Sequence, residues 1–236
     1  MGRAMLRLIT DFDGPIMDVS QRYYRVYQHC LGATRWRGQQ VHMLPKEEFW
    51  ALKRSRVPER KIGMLSGLDE EQGQQFARCR RNLIHSPPFL PLDRPQPGAI
   101  EAIERVQKAG VEVVILTMRT ILELEAGLNC SRLGHLFPVS SRCCFGHDCQ
   151  KTIDVEDKPK LMAKTLDTLP PASKTVMVGD TEADIIAAKS HGIPVIAVLC
   201  GIRDRERLAV HLPDAIVEDL PAAVDRLLQD FFLEAS

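Results

Sequence analysis

The sequence predicts an α/β fold: a mostly parallel sheet flanked by helices, with a helical segment inserted after the first strand. Three observations carry this expectation. From Gly98 onward, apolar runs of strand length alternate with amphipathic runs of helix length, the pattern that builds repeated βαβ units. One further strand-like run, residues 5–10, stands far upstream of them. Between the two, residues 20–85 have helical periodicity and few strand candidates. The first strand lies beside the later ones only if that helical stretch is an insertion.

Taken in order, residues 5–10 read as a buried strand and residues 11–14 as its exit. A helix is expected over residues 18–31, and clearer ones over 46–53 and 69–83, with a turn at Leu65-Ser66-Gly67. Residues 86–98 hold five prolines and read as a stiff connector. Beyond it the pattern predicts a helix over 99–109, a strand over 111–117, a helix over 158–169, a strand over 174–179, a helix over 182–190, a strand over 194–199 and a final amphipathic helix over 220–232. The expected division is an α/β core of residues 1–17 and 89–236 and a helical unit of residues 18–88.

Composition limits the function classes. With 236 residues, 44% of them hydrophobic, the chain can bury a sizeable core. Its 31 basic and 31 acidic side chains cancel, so no global field recruits nucleic acid or an anionic membrane. The seven cysteines are odd in number and irregular in spacing, which fits a reducing, cytoplasmic compartment better than a stapled secreted fold. Residues 1–10 are too short and mixed for a signal peptide, and the apolar runs are too short for a bilayer span.

The chemistry is concentrated in four places. Asp11 and Asp13 follow the first apolar run, separated by one residue. If the chain stays extended there, both carboxylates point the same way, and a compensating metal ion is implied. Asp11 is the candidate nucleophile, since a carboxylate can attack phosphorus and form an aspartyl-phosphate. Asp13 would protonate the leaving oxygen and later activate water. Gly14 lets the backbone turn sharply, so that amides approach phosphate oxygens. Thr117 closes the apolar run 113–116, its hydroxyl and the amides of Met118 and Arg119 being candidate phosphate donors; the Arg119 side chain reaches either the phosphate or the surface. Lys158, before Pro159, is placed at a helix start, where its ammonium would hold Asp11 and a phosphate together. Lys160 is expected to face elsewhere. Asp180 follows an apolar run and Gly179 and suits Mg²⁺, which favours oxygen ligands. Asp184, four residues on, would turn back toward that metal or orient its ligands, while Glu182 points outward. Asp11, Asp13, Asp180 and Asp184 are thus the metal candidates, and Asp11, Thr117 and Asp180 fall at the carboxyl edge of the sheet, where such sheets bind ligands.

These residues resemble the haloacid-dehalogenase-like hydrolase superfamily in its phosphatase branch. Asp11-Phe12-Asp13-Gly14 matches the family's first motif, Thr117 its second, Lys158 its third and Gly179-Asp180-Thr181-Glu182-Ala183-Asp184 its fourth. Pro15 departs from the Thr or Val usual after the first motif, and removes one amide donor. The resemblance implies a Rossmann-like core, Mg²⁺-dependent hydrolysis through an aspartyl-phosphate, and a helical C1-type cap like that of phosphoglycolate phosphatases and β-phosphoglucomutases. The expected substrate is a small phosphorylated metabolite, phosphoglycolate or a sugar phosphate. The alternatives are an intramolecular phosphotransferase of the phosphoglucomutase type and a low-turnover, phosphate-responsive interaction module.

Other signals are weaker. Residues 143–149 hold three cysteines and a histidine without the paired spacing of a zinc site. Arg54, Arg56 and Arg60 read as a solvated helix face, and Trp36, Trp50 and Tyr27 as packing within the helical unit.

Overall fold

The computed structural model describes residues 5–146 and 152–233. The chain opens with β1 (Leu6–Thr10) and the two-residue β2 (Met17–Asp18), then forms four helices, α1 (Ser20–Thr34), α2 (Lys46–Arg54), α3 (Glu59–Leu65) and α4 (Glu70–Leu83). It returns through β3 (Arg94–Pro95) and continues as α5 (Ala99–Lys108), β4 (Val111–Thr120), α6 (Ile121–Ser131), β5 (Arg142–Phe145) and α7 (Asp154–Thr168). The remaining elements are β6 (Lys174–Gly179), α8 (Glu182–Lys189), β7 (Val195–Val198), α9 (Arg205–Ala209), β8 (Ala215–Val217) and α10 (Leu220–Leu233).

Six strands form one parallel sheet in the order β5-β4-β1-β6-β7-β8. This is the Rossmann-like α/β class that the alternation predicts. Successive side chains of a strand point to opposite faces, and the sheet uses both. Leu8, Val113, Ile115, Val176 and Val178 join residues of α5, α6 and α10 in one core. Ile9, Val114, Leu116, Met177 and Val195 join residues of α7, α8 and α9 in the other. Strands buried on both sides need near-continuous apolar runs, which is why residues 113–116 and 176–178 contain only Val, Ile, Leu and Met.

Helices α1–α4 gather a separate apolar cluster that includes Val26, Tyr27, Phe49, Ile62 and Phe76. Tyr27 stacks on Phe49 at 4.7 Å between ring centroids, and Trp50 meets Tyr23 edge-on at 5.8 Å. Trp36 departs from the expected packing, being 65% exposed in the loop beyond α1. The chain enters this helical unit through β2 and leaves it through β3, and the two pair antiparallel, Met17 opposite Pro95 and Asp18 opposite Arg94.

Several boundaries differ from the sequence reading. β4 runs on to Thr120 rather than stopping at Thr117, because β5 pairs alongside it, with Thr120 opposite Phe145 after an irregularity. β5 itself went unread, its Cys143-Cys144 pair lacking an apolar signature. Cys143 and Cys144 lie in this strand, while His147 and Cys149 lie outside the described residues. α7 starts at Asp154, so Lys158 is inside the helix and not at its start, and Pro159 is accommodated within it. No helix among the described residues is long and apolar enough to cross a membrane.

Candidate active site

β1 and β6 are neighbours in the sheet, so the residues that follow them emerge side by side. The Asp11 amide donates to the Val178 carbonyl at 3.0 Å, which continues the ladder by one residue and fixes the Asp11 side chain beyond the sheet edge. Asp11 Oδ1 accepts from the Phe12 amide at 2.6 Å. Asp11 Oδ2 accepts from Lys158 Nζ, also at 2.6 Å. The same ammonium lies 2.5 Å from Asp184 Oδ1. Lys158 thus reaches from α7 to bridge the loop after β1 and the first turn of α8.

Asp180 follows β6 directly. Its Oδ2 accepts from the Ile202 amide at 2.7 Å, whereas its Oδ1 is buried with no hydrogen-bond partner. Asp184 turns back as an N-terminal cap of α8: its Oδ2 accepts from the amides of Asp180 and Thr181 at 3.1 and 2.9 Å and from the Thr181 hydroxyl at 2.7 Å. Carboxylate oxygens of Asp11, Asp180 and Asp184 all lie within 4.8 Å of one another, and all three residues are buried. Close backbone approach makes this possible. Gly14, at φ +92°, and Gly201 both press on the Asp180 carboxylate, where any Cβ would collide with it.

The electrostatics follow from this crowding. Burial pushes the Asp11 carboxyl up to about 7, Lys158 opposing the rise and Asp184 and Asp13 adding to it. Burial, then Asp184 and Asp11, raise Asp180 well above the usual carboxylate range. Burial works against the Lys158 charge, but Asp11 and Asp184 outweigh it and raise its pKa above the ordinary lysine range. One ammonium among three buried carboxylates leaves negative charge uncompensated, which is the condition that a divalent cation relieves.

Asp13 is placed differently from the sequence expectation. Its carboxylate is not part of the three-acid group: Oδ1 is paired with Arg119 at 2.6 Å and Oδ2 with Arg22 at 2.9 Å. Both guanidiniums also hold Asp93, at 2.5 Å from Arg119 and 2.8 Å from Arg22. Burial favours a neutral Asp13, but Arg119 and Arg22 prevail and hold its carboxyl well below the usual range. The Arg119 side chain is buried and committed to these two acids, so it is neither a surface residue nor a free phosphate donor in this arrangement. Thr117 is buried, and its hydroxyl accepts from the Arg119 amide at 3.2 Å. Lys160 is exposed, 3.7 Å from Asp157. Glu182, expected to point outward, is buried against Arg203 at 2.7 Å and Arg56 at 3.1 Å, because those guanidiniums converge on it from the loop after β7 and the turn after α2.

Sequence reasoning missed three residues here. Arg22 donates to Asp13, Asp93 and the Ile84 carbonyl; its signal was a charge on the same helical face as Val26 and Cys30, four and eight residues on. Asp93 was hidden in the proline-rich connector. Gln96 ties the Gly14 carbonyl to that of Cys200 at 2.9 and 3.0 Å, with no signal that spacing reveals. A cavity of about 530 Å³ opens over the site, lined by Asp11, Asp13, Thr117 and Lys158 on one side and by Lys53, Glu59 and Arg80 of the helical unit on the other.

The chain resembles known proteins over this architecture. A family profile described as HAD-hydrolase-like matches residues 157–223, the stretch holding Lys158, Asp180 and Asp184. A phosphoglycolate phosphatase of Agrobacterium fabrum is 26% identical across 94% of this chain and 91% of its own length. The pyrophosphatase PpaX of Bacillus mycoides is 25% identical across 66% of this chain and 69% of its own. A haloacid dehalogenase-like family hydrolase from Streptococcus pneumoniae superposes with a TM-score of 0.66 at 16% identity, covering 94% of this chain and 98% of that one, which speaks to the fold.

Proposed function

We infer that the chain is a phosphatase of the haloacid-dehalogenase-like hydrolase superfamily, and that it hydrolyses a small phosphorylated metabolite through an aspartyl-phosphate on Asp11, with Mg²⁺ as cofactor. The observation that carries the reading is the cluster of Asp11, Asp180 and Asp184 around Lys158 at the carboxyl edge of the central strands. Mg²⁺ is supported by the donor set, which is all carboxylate, and by the buried Asp180 Oδ1, which has no partner among the described residues. Asp11 and Asp180 would hold the ion, with Asp184 fixing the loop that presents Asp180. When bound, Mg²⁺ would supply positive charge that offsets the repulsion between Asp11 and a phosphoryl group.

The residues of the chain then divide the work. Asp11 attacks phosphorus, the bond to the leaving oxygen breaks, and Asp13 delivers a proton to that oxygen. In the second half-reaction Asp13 takes a proton from water as the water attacks phosphorus, and Asp11 is restored. Lys158 keeps Asp11 ionised and donates to the phosphoryl group; the Thr117 hydroxyl and the Met118 amide are further donors. For Asp13 to carry its proton it must exchange a guanidinium partner. Arg22 lies on α1, so movement of the helical unit changes what Asp13 touches. We assign residues 18–88 to a cap and residues 1–17 and 89–236 to the catalytic core, closure of the cap excluding bulk water. The two relatives act, by their names, on phosphoglycolate and on pyrophosphate, so the relatives do not choose the substrate.

Phosphate release from a panel of phosphoglycolate, sugar phosphates and an aryl phosphate, with and without Mg²⁺, tests the reading. Sustained, metal-dependent release is expected. Asp11→Asn should lower turnover by several orders of magnitude, each tenfold being about 1.4 kcal/mol. A folded Asp11→Asn variant of near-parent activity would reject the assignment, and phosphorylation that stops at one equivalent would favour the interaction module.

A further inference from the structure

The carboxyl end of β6 is overhung from both sides. The sheet order sets β1 on one flank of β6 and β7 on the other, so β1 and β7 share no ladder hydrogen bonds. Their exits are separated by two strand spacings, about 10 Å. Beyond the sheet edge the loops that follow them close over Asp180. Gly14 of the first loop and Gly201 of the second both press on its carboxylate, and the Ile202 amide of the second loop donates to Asp180 Oδ2 at 2.7 Å. The place of that carboxylate is therefore set by the gap between two loops that the sheet itself does not join.

Gln96 joins them. Its side-chain Nε2 donates to the Gly14 carbonyl at 2.9 Å and to the Cys200 carbonyl at 3.0 Å. A primary amide carries two protons on that nitrogen, and here each goes to a different loop. The Cys200 thiol adds a weaker link, donating to the same Gly14 carbonyl at 3.4 Å. Gln96 stands on a fixed base: its own amide donates to the Ile16 carbonyl at 2.8 Å, beside the pairing of β2 with β3. Remove the side-chain donor, and two carbonyl oxygens drawn toward one nitrogen are left close together, with their dipoles pushing the loops apart. Gln96 is not among the residues that line the cavity, so it acts through Gly14 and Cys200 rather than on a ligand.

We propose that Gln96 is a positioning residue for the metal site: by clasping both loops it fixes the gap that holds the Asp180 carboxylate, and so the fit of the carboxylate cluster to a small divalent cation. The proposal rests on the assignment of Mg²⁺ to Asp11 and Asp180; the clasp itself stands on hydrogen bonds outside the phosphoryl chemistry. A gap held narrow favours Mg²⁺, which demands a compact, near-octahedral oxygen set, over the larger and more tolerant Ca²⁺.

Titration calorimetry of the full chain with MgCl₂ and with CaCl₂, in the absence of substrate, tests this without turnover. Gln96→Met keeps the length of the side chain and removes both donations. It should weaken Mg²⁺ binding by about tenfold, the lower end of what a lost supporting contact costs a metal site. Ca²⁺ binding should weaken by less than about threefold, so that the preference for Mg²⁺ falls. Gln96→Asn keeps the amide but withdraws it by one methylene, and should lower the same preference even if Gln96→Met does not fold. Urea unfolding in EDTA separates a merely structural role, which would lower stability while leaving both dissociation constants within about twofold of the parent; that result overturns the proposal. Equal weakening of the two ions overturns it too, as does a Gln96→Asn variant with the parent's preference. A parent chain that binds no Mg²⁺ would remove the metal assignment and the proposal with it, and the parent titration alone tells that failure from the others.

Discussion

Replacing Lys158 by Met removes the one ammonium that touches both Asp11 and Asp184. Its side chain is 1% exposed, Asp184 is fully buried, and Asp11 is 11% exposed at the side chain. Two carboxylates would then face each other in the metal-free protein with no cation between them. Breaking a buried pair by removing one partner costs about 3–5 kcal/mol. For a chain of this length each kcal/mol lowers Tm by about 2–4 °C, which predicts a fall of ~6–20 °C. Adding Asp11→Asn to Lys158→Met should return part of that loss, on the order of 1–3 kcal/mol, because a neutral amide removes the stranded charge. Saturating Mg²⁺ should recover stability in Lys158→Met more than in the parent. Urea unfolding of the parent, both single variants and the double variant, in EDTA and in Mg²⁺, measures each quantity. A Lys158→Met loss below about 1 kcal/mol, or a double variant less stable than Lys158→Met alone, would refute the view that this lysine is the site's charge anchor.

The other expectations are narrower. Asp180→Asn should raise the Mg²⁺ concentration needed for half-maximal activity by at least about tenfold, and an unchanged titration would contradict the assignment. Gly201→Ala places a methyl group against the Asp180 carboxylate, and should impair the same titration while circular dichroism stays that of the parent; a variant with parent-like metal response would show that the contact relaxes freely. Glu123 provides a pH test. Burial favours its protonation, but the His85 and Thr120 hydrogen bonds prevail and hold the carboxyl down to about 2. A folded-state pKa below the unfolded value contributes stability that is present above about 4.5 and is lost as pH falls toward about 2. Glu123→Gln should therefore flatten the decline of urea stability between those two pH values, and a slope equal to that of the parent would exclude the effect.

How much of this was legible beforehand depended on the kind of signal. The sheet was readable because parallel strands buried on both faces write continuous apolar runs, and residues 113–116 and 176–178 do so without interruption. The acids were readable because each follows such a run directly, so a strand end and a carboxylate coincide in sequence. Asp13 was harder. Its spacing from Asp11 is local, but its partners come from two different elements: Arg119 is 106 residues away, and Arg22, although only 9 residues on, reaches back from a helix of the inserted unit. Which acid joins the three-carboxylate group and which faces guanidiniums is decided by these arrivals. The same holds for Glu182, whose burial depends on Arg203 and Arg56. β5 was invisible because its pairing with β4, rather than its own composition, makes it a strand.

The central position of β1 also bears on how the chain acquires its shape. Leu6 pairs with Val111 on one side and with Lys174 on the other, so this strand gains both neighbours only through contacts that span much of the chain. Closing loops of that span is slow. The helices between β2 and β3 depend on shorter-range encounters, such as α3 against α4, and should acquire order earlier. Pulse-labelled hydrogen exchange during refolding would then find amides of α4 shielded while those of β1 still exchange. The aspartate on which hydrolysis is proposed to depend would be among the last residues to reach its place, which makes the appearance of activity a late clock for maturation of the whole chain.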